Sequence, residues 1–263
     1  MDILKKELAP LSAKAWEEIE ERAAQVIKTN LTGRKAVRVS GPLGWKYTVV
    51  PSGRLALVDE TGDVKVGQFT AKPLVEARVQ FSLNRWELDN VNRGAKDIDF
   101  SALEDALTKL TEFEDRAVYD GYAKGNIVGL AQSSSNAPIG FGKDAQSVME
   151  ALSKAVVVLK ANHASGPFSL VVGTKAWVLM NKEIHGISLI ERVERFLGAK
   201  VIHSMVLEGA LLVPFDDENL ELTVGQDYAV GYESHDSREV RLFATESCSN
   251  IVLVAALLFG FNQ

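Results

Sequence analysis

SLNRWELDNVNRG, residues 82–94, sets one tryptophan between an arginine and a glutamate, then runs through an aspartate, two asparagines, a second arginine and a glycine. Such a cluster can be a catalytic pocket, a ligand platform or a surface that meets another protein. Glu87 and Asp89 are two residues apart, so on a strand they would share a face, and a carboxylate pair serves acid–base chemistry once one pKa is raised. The commoner arrangement is a set of acids that simply balance Arg85 and Arg93. The chain has no Gly-x-Ser-x-Gly elbow, no Walker loop and no His-Glu-x-x-His. Trp86 without a glycine-rich phosphate loop is a weak cofactor signal, because an aromatic side chain more often fills a core or anchors an interface.

Outward from this stretch, residues 74–83 alternate as a strand leading into it. Upstream, YTVVPSG, RLALVDETG and VKVGQFTA read as one long hairpin, whose exposed edges a partner must protect. Nearer the start, Ser12 caps a helix whose stripe is Trp16, Ile19, Ala23, Val26 and Ile27, with Glu17, Glu18, Glu20 and Glu21 turned away. Downstream, Leu103, Leu107, Leu110, Phe113, Ala117 and Gly121 predict a long helix over residues 100–124, ended by Gly125. Asp144, Thr174 and Ser188 open three further helices, Ser188 with Glu191 matching the capping-box pattern. The remainder reads mostly as strand.

The 263 residues carry 29 basic and 35 acidic side chains, a formal −6, which argues against a dedicated nucleic-acid or anionic-membrane surface. Cys248 is the sole cysteine and the four histidines are dispersed, so neither a disulfide nor a metal-ligand spacing can be read, and Cys248 is expected to be a buried small side chain. The first residues lack the apolar core of a signal peptide, and residues 251–259, the longest apolar run, are too short to span a bilayer. A reducing, cytoplasmic setting is expected. What remains is an amphipathic arm, a projecting hairpin and a polar–aromatic segment, each poorly satisfied in a monomer. Together they point to assembly.

LAPLSAKAWEEIEERA at 8–23, TGRKAVRVSGPLGW at 32–45, RWELDNVNRG at 85–94, TEFEDRAVYDG at 111–121 and GQDYAVGYE at 225–233 together resemble the encapsulins, which build bacterial and archaeal protein nanocompartments. The resemblance implies an α+β chain with the fold of tailed-phage major capsid proteins. Residues 1–40 would be the N-terminal arm helix and 41–72 the extended loop. Residues 73–130 and 214–246 would form a peripheral domain with a spine helix, and 131–213 and 247–263 an axial domain.

It further implies a non-catalytic shell subunit that closes with copies of itself into an icosahedron. Its partners would be cargo enzymes, ferritin-like proteins or peroxidases, held by C-terminal peptides. Family position places the cargo-peptide site at Ile27, Leu31, Arg34, Gln226, Asp227 and Val230, and the pore lining at Lys182, Glu183, His185 and Gly186. No metal or cofactor is required, although some members carry a flavin near the position of Trp86. Ala36 stands where many members have a large apolar residue and Arg38 where some have an acid, which puts the shape and charge of the cargo pocket in question. A phage or prophage capsid protein of the same fold is the second reading, and a flavin-dependent enzyme built around Trp86 the third.

Overall fold

The computed structural model describes residues 3–262 apart from residues 60 and 185. Helix α1 (Ala13–Asn30) begins where Ser12 Oγ accepts from the Ala15 amide, and it buries Ala15, Ile19 and Ala23. A single-turn helix α2 (Gly33–Ala36) leads into β1 (Arg38–Ser40). Strands β2 (Val49–Asp59) and β3 (Val66–Pro73) make the expected long hairpin, exposed at nearly every position. Pro51-Ser52-Gly53 does not end β2, as the sequence reading supposed; the strand absorbs these residues as a register shift.

Strand β4 (Val75–Asn84) then enters the RWELDNVNRG stretch, which is a helix, α3 (Arg85–Arg93). Asn84 Oδ1 accepts from the Trp86 and Glu87 amides, and Gly94 at φ +92° ends the helix. Successive helical residues advance by about 100°, so Glu87 and Asp89 point to different sides, and the shared face considered for a strand does not exist. The spine helix α4 (Ser101–Tyr119) is shorter than predicted. Gly121, counted in its apolar pattern, has φ +86°, and a Cβ there would lie 2.6 Å from the Gly129 amide nitrogen. It therefore turns the chain out of the helix into β5 (Gly121–Tyr122), which pairs with β6 (Ile127–Val128).

Beyond the short α5 (Leu130–Ser133) and β7 (Ile139–Gly140), Asp144 caps α6 (Ala145–Ala161) in a capping box with Ser147. Then come β8 (Phe168–Val172), α7 (Thr174–Met180), the small ribbon β9 (Glu183–Ile184) and β10 (Ile187–Ser188), and α8 (Leu189–Leu197). The chain closes with β11 (Gly198–His203), β12 (Ala210–Pro214), β13 (Leu220–Val224), β14 (Ala229–His235), β15 (Glu239–Val252) and β16 (Phe259–Asn262).

Among the described residues the strands form two main sheets. One is ordered β1-β13-β15-β14 with β4 also on β15, and the other β11-β8-β12-β16-β7. Residues 247–252, grouped by the sequence reading with the axial segment, continue β15 in the first sheet. Helices α1 and α4 cover that sheet around Leu103, Leu107, Leu110, Val240 and Leu242; α6 and α8 pack on the second. A third cluster, including Val118, Tyr119, Val171, Leu211, Leu222 and Cys248, draws residues from both sheets and packs them together.

Candidate functional site

Helix α1 packs its stripe on α4 and on the first sheet, and its last turn meets the start of β14. There a pocket of about 250 Å³ is walled by Ala23, Ala24, Ile27, Leu107, Tyr228, Ala229 and Val230, with the Lys6–Glu20 ion pair at one side. Of the six expected cargo-site residues, Ile27 and Val230 line this pocket. Val230, 4% exposed, is core, and so is Leu31 at 6%, whose amide caps α1 by bonding the Ile27 carbonyl. The apolar strip expected from Ile27 and Leu31 is therefore not presented by both residues. Tyr228, Ala24 and Leu107 were missed; Tyr228 lies inside the GQDYAVGYE stretch that drew attention to its neighbours. Ala36 is buried in the core joining the sheets and Arg38 is exposed on β1, and neither is among the residues lining this pocket.

Beside the pocket, Arg34 organises a cluster of acids. Its Nε and Nη2 donate to Glu114 at 2.9 and 2.7 Å, its Nη1 donates to Asp227 at 2.8 Å, and its guanidinium lies 5.0 Å from the Tyr228 ring centre. Burial disfavours the arginine charge, but Glu114 and Asp227 more than offset this and raise its pKa. Arg34 is held in place by its neighbours in sequence. The Thr32 and Gly33 amides donate to Asp115 of α4, and Tyr119 donates to the Thr32 hydroxyl. A Cβ on Gly33 would stand 3.0 Å from Asp115 Oδ1 and 3.2 Å from Val118 Cβ, so glycine lets α2 approach α4 closely. The Gly33-Arg34 and Glu114-Asp115 pairs thus belong to one construction. Gln226 supports its rim: its amide donates to Ser247 Oγ and its side chain to the Asp227 carbonyl.

The remaining expected residues lie apart from this site. Lys182 and Gly186 are exposed at the β9–β10 ribbon, Gly186 with φ +80°, and Glu183 pairs with Ser188 across it; His185 lies outside the described residues. Trp86 is 70% exposed at the start of α3. Beside it, Asn84 caps the helix and Arg85 donates to the Asp236 carbonyl. A larger cleft of about 890 Å³ opens between the edge strands β1 and β11, lined by Val39 and Phe215 together with Lys35, Lys200 and His203. Its lining mixes apolar side chains with basic ones and the Asp216 carboxylate.

The Linocin_M18 family, described as "Encapsulating protein for peroxidase", matches residues 1–249. The chain is 35% identical to a type 1 encapsulin shell protein of Rhodococcus erythropolis over 249 residues, 94% of each chain. A virus-like particle from Pyrococcus furiosus shares its fold with a TM-score of 0.70 and 16% identity, over 94% of this chain and 98% of that one. The capsid of Myoviridae phage XM1 follows at 0.59 and 12%, over 87% and 90%. At such identities the last two show the capsid fold alone, whereas similarity along nearly the whole sequence lies with the shell proteins. The chain belongs to the encapsulin family of shell proteins.

Proposed function

We propose that this chain is a structural subunit, not an enzyme, that closes with copies of itself into a cytoplasmic compartment and captures the C-terminal tails of a ferritin-like or peroxidase cargo in the pocket between α1 and β14. The observation that supports the reading is that pocket. It pairs apolar walls of Ile27, Ala24 and Leu107 with the Lys6–Glu20 pair at one side, which supplies polar groups to a peptide backbone. At about 250 Å³ it takes two or three small apolar side chains, each contributing about 1.5–3 kcal/mol before ordering costs. One tail then binds weakly, and loading rests on many tails displayed by an oligomeric cargo.

Val230 is unsuitable for testing this, since an aspartate there buries a charge in the core. Ala24→Asp with Ile27→Asp changes the pocket from its open side instead. The double variant is expected to assemble normally and to lose most co-purified cargo, measured by the cargo-to-shell ratio on a gel. Unchanged loading in intact shells moves the tail site elsewhere.

The exposed ribbon at Lys182 and Gly186 suits a pore lining, where one charge repeated around a ring sets the local field on passing ions. Lys182→Ser with Glu183→Ser is expected to change the rate at which a small charged reagent reaches enclosed cargo, with particles unaltered by electron microscopy. An unchanged rate assigns the pore to another loop.

A further inference from the structure

Behind Arg34, where the first sheet meets α4, three potential ligands converge that no local motif links. Glu114 comes from α4, and Glu246 and Cys248, two apart on β15, present the same face of that strand. All three are buried, and a ligand atom from each lies within 4.8 Å of the others. The contacts of Glu246 are unusual: neither carboxylate oxygen makes a close hydrogen bond, and its polar neighbours are the Glu114 carboxyl, the Tyr228 hydroxyl and Arg34 Nη2, the last 3.6 Å away. The Tyr228 hydroxyl beside these groups is likewise buried with no partner. A fully buried acid and a buried hydroxyl thus face one space without close hydrogen bonds, which buried polar groups normally make.

We propose that Glu114, Glu246 and Cys248 bind a divalent transition-metal cation, zinc, in a three-residue site that ties α4 to β15. Zinc accepts thiolate and carboxylate ligands together in a tetrahedral array with bonds of about 2.0–2.3 Å, so two ligand atoms on one ion stand about 3.3–3.8 Å apart. Ligand atoms within 4.8 Å of one another close on an ion with an inward movement of up to about 1 Å. Zinc and Arg34 together carry three positive charges, against two buried carboxylates, one thiolate and the partly exposed Asp227 carboxylate on Arg34, with any protons on the ligands released on binding. Arg34 keeps its fork on Glu114, leaving each carboxylate oxygen with capacity for one further bond, and so acts as the outer partner that orients a ligand.

Shells purified from zinc-supplemented cells, washed with a chelator and assayed for metal, are expected to hold about one zinc per subunit. Glu246→Gln and Cys248→Ser shells should lose it about tenfold or more. Wild-type shells no richer in zinc than Glu246→Gln shells overturn the site. Zinc retained equally by both variants overturns it too, since the metal then sits on the surface. If Glu246→Gln fails to assemble, Cys248→Ser carries the comparison. Cobalt-loaded shells add a second readout: the thiolate-to-cobalt absorption band is expected in the wild type and absent in Cys248→Ser, and its absence from the wild type removes Cys248 from the site.

Discussion

Deletion of residues 52–66 is expected to abolish closed particles while leaving a folded chain. Strands β2 and β3 are exposed along almost their whole length, with Leu55, Leu57, Val58, Val64, Val66 and Phe69 open to solvent. A two-stranded hairpin is marginal by itself, and each of those side chains contributes about 1.5–3 kcal/mol once buried. A neighbouring subunit is the natural source of that burial, and it also satisfies the unpaired strand edges. The core clusters contain no residue of the deleted span, so both sheets should survive, and residues 67–70 remain to close the shortened turn. Electron microscopy and light scattering should find small soluble oligomers with unchanged circular dichroism. Intact shells from the deletion would falsify the assignment of the hairpin to the subunit interface.

Arg34→Ala is expected to be the most damaging single change near the pocket. Glu114 is fully buried and takes both arms of the guanidinium fork, and Asp227 takes the third nitrogen. Removing the arginine strands a buried carboxylate, a loss that commonly costs about 3–5 kcal/mol. Because the cluster holds α2 against α4 and sets the pocket rim, soluble yield and guanidinium midpoint at fixed subunit concentration should both fall. Arg34→Lys keeps the charge but not the planar fork and should recover only part of the loss. A midpoint for Arg34→Ala within experimental scatter of the wild type would mean that Glu114 finds another partner.

Periodicity and end signals made most of the elements legible. Ser12, Asp144 and Ser188 mark helix starts because each side chain accepts from an amide within its own first turn. The β2–β3 hairpin was readable because its alternation needs no distant partner. The helical character of residues 85–93 was also written locally, in Asn84 with Glu87 three residues on and in Gly94, but only Leu88 and Val91 are buried there, and two apolar positions define no period. The end of α4 turned on Gly121, whose conformation is set by its close approach to Gly129.

The candidate site divides in the same way. Motif resemblance singled out Arg34 and Asp227, and the amphipathic pattern supplied Ile27. Burial alone decided that Leu31 and Val230 belong to the core, since an apolar residue at a helix end or strand start reads identically on either side of a wall. The acid cluster was invisible, because Arg34, Glu114, Glu246 and Cys248 come from separate parts of the chain and none carries a local sign of its partners. The sequence by itself determined the order of elements and the family; the packing of α2 and β15 against α4 decided which side chains share a site, since only tertiary contact removes charged groups from water and forces them to find one another.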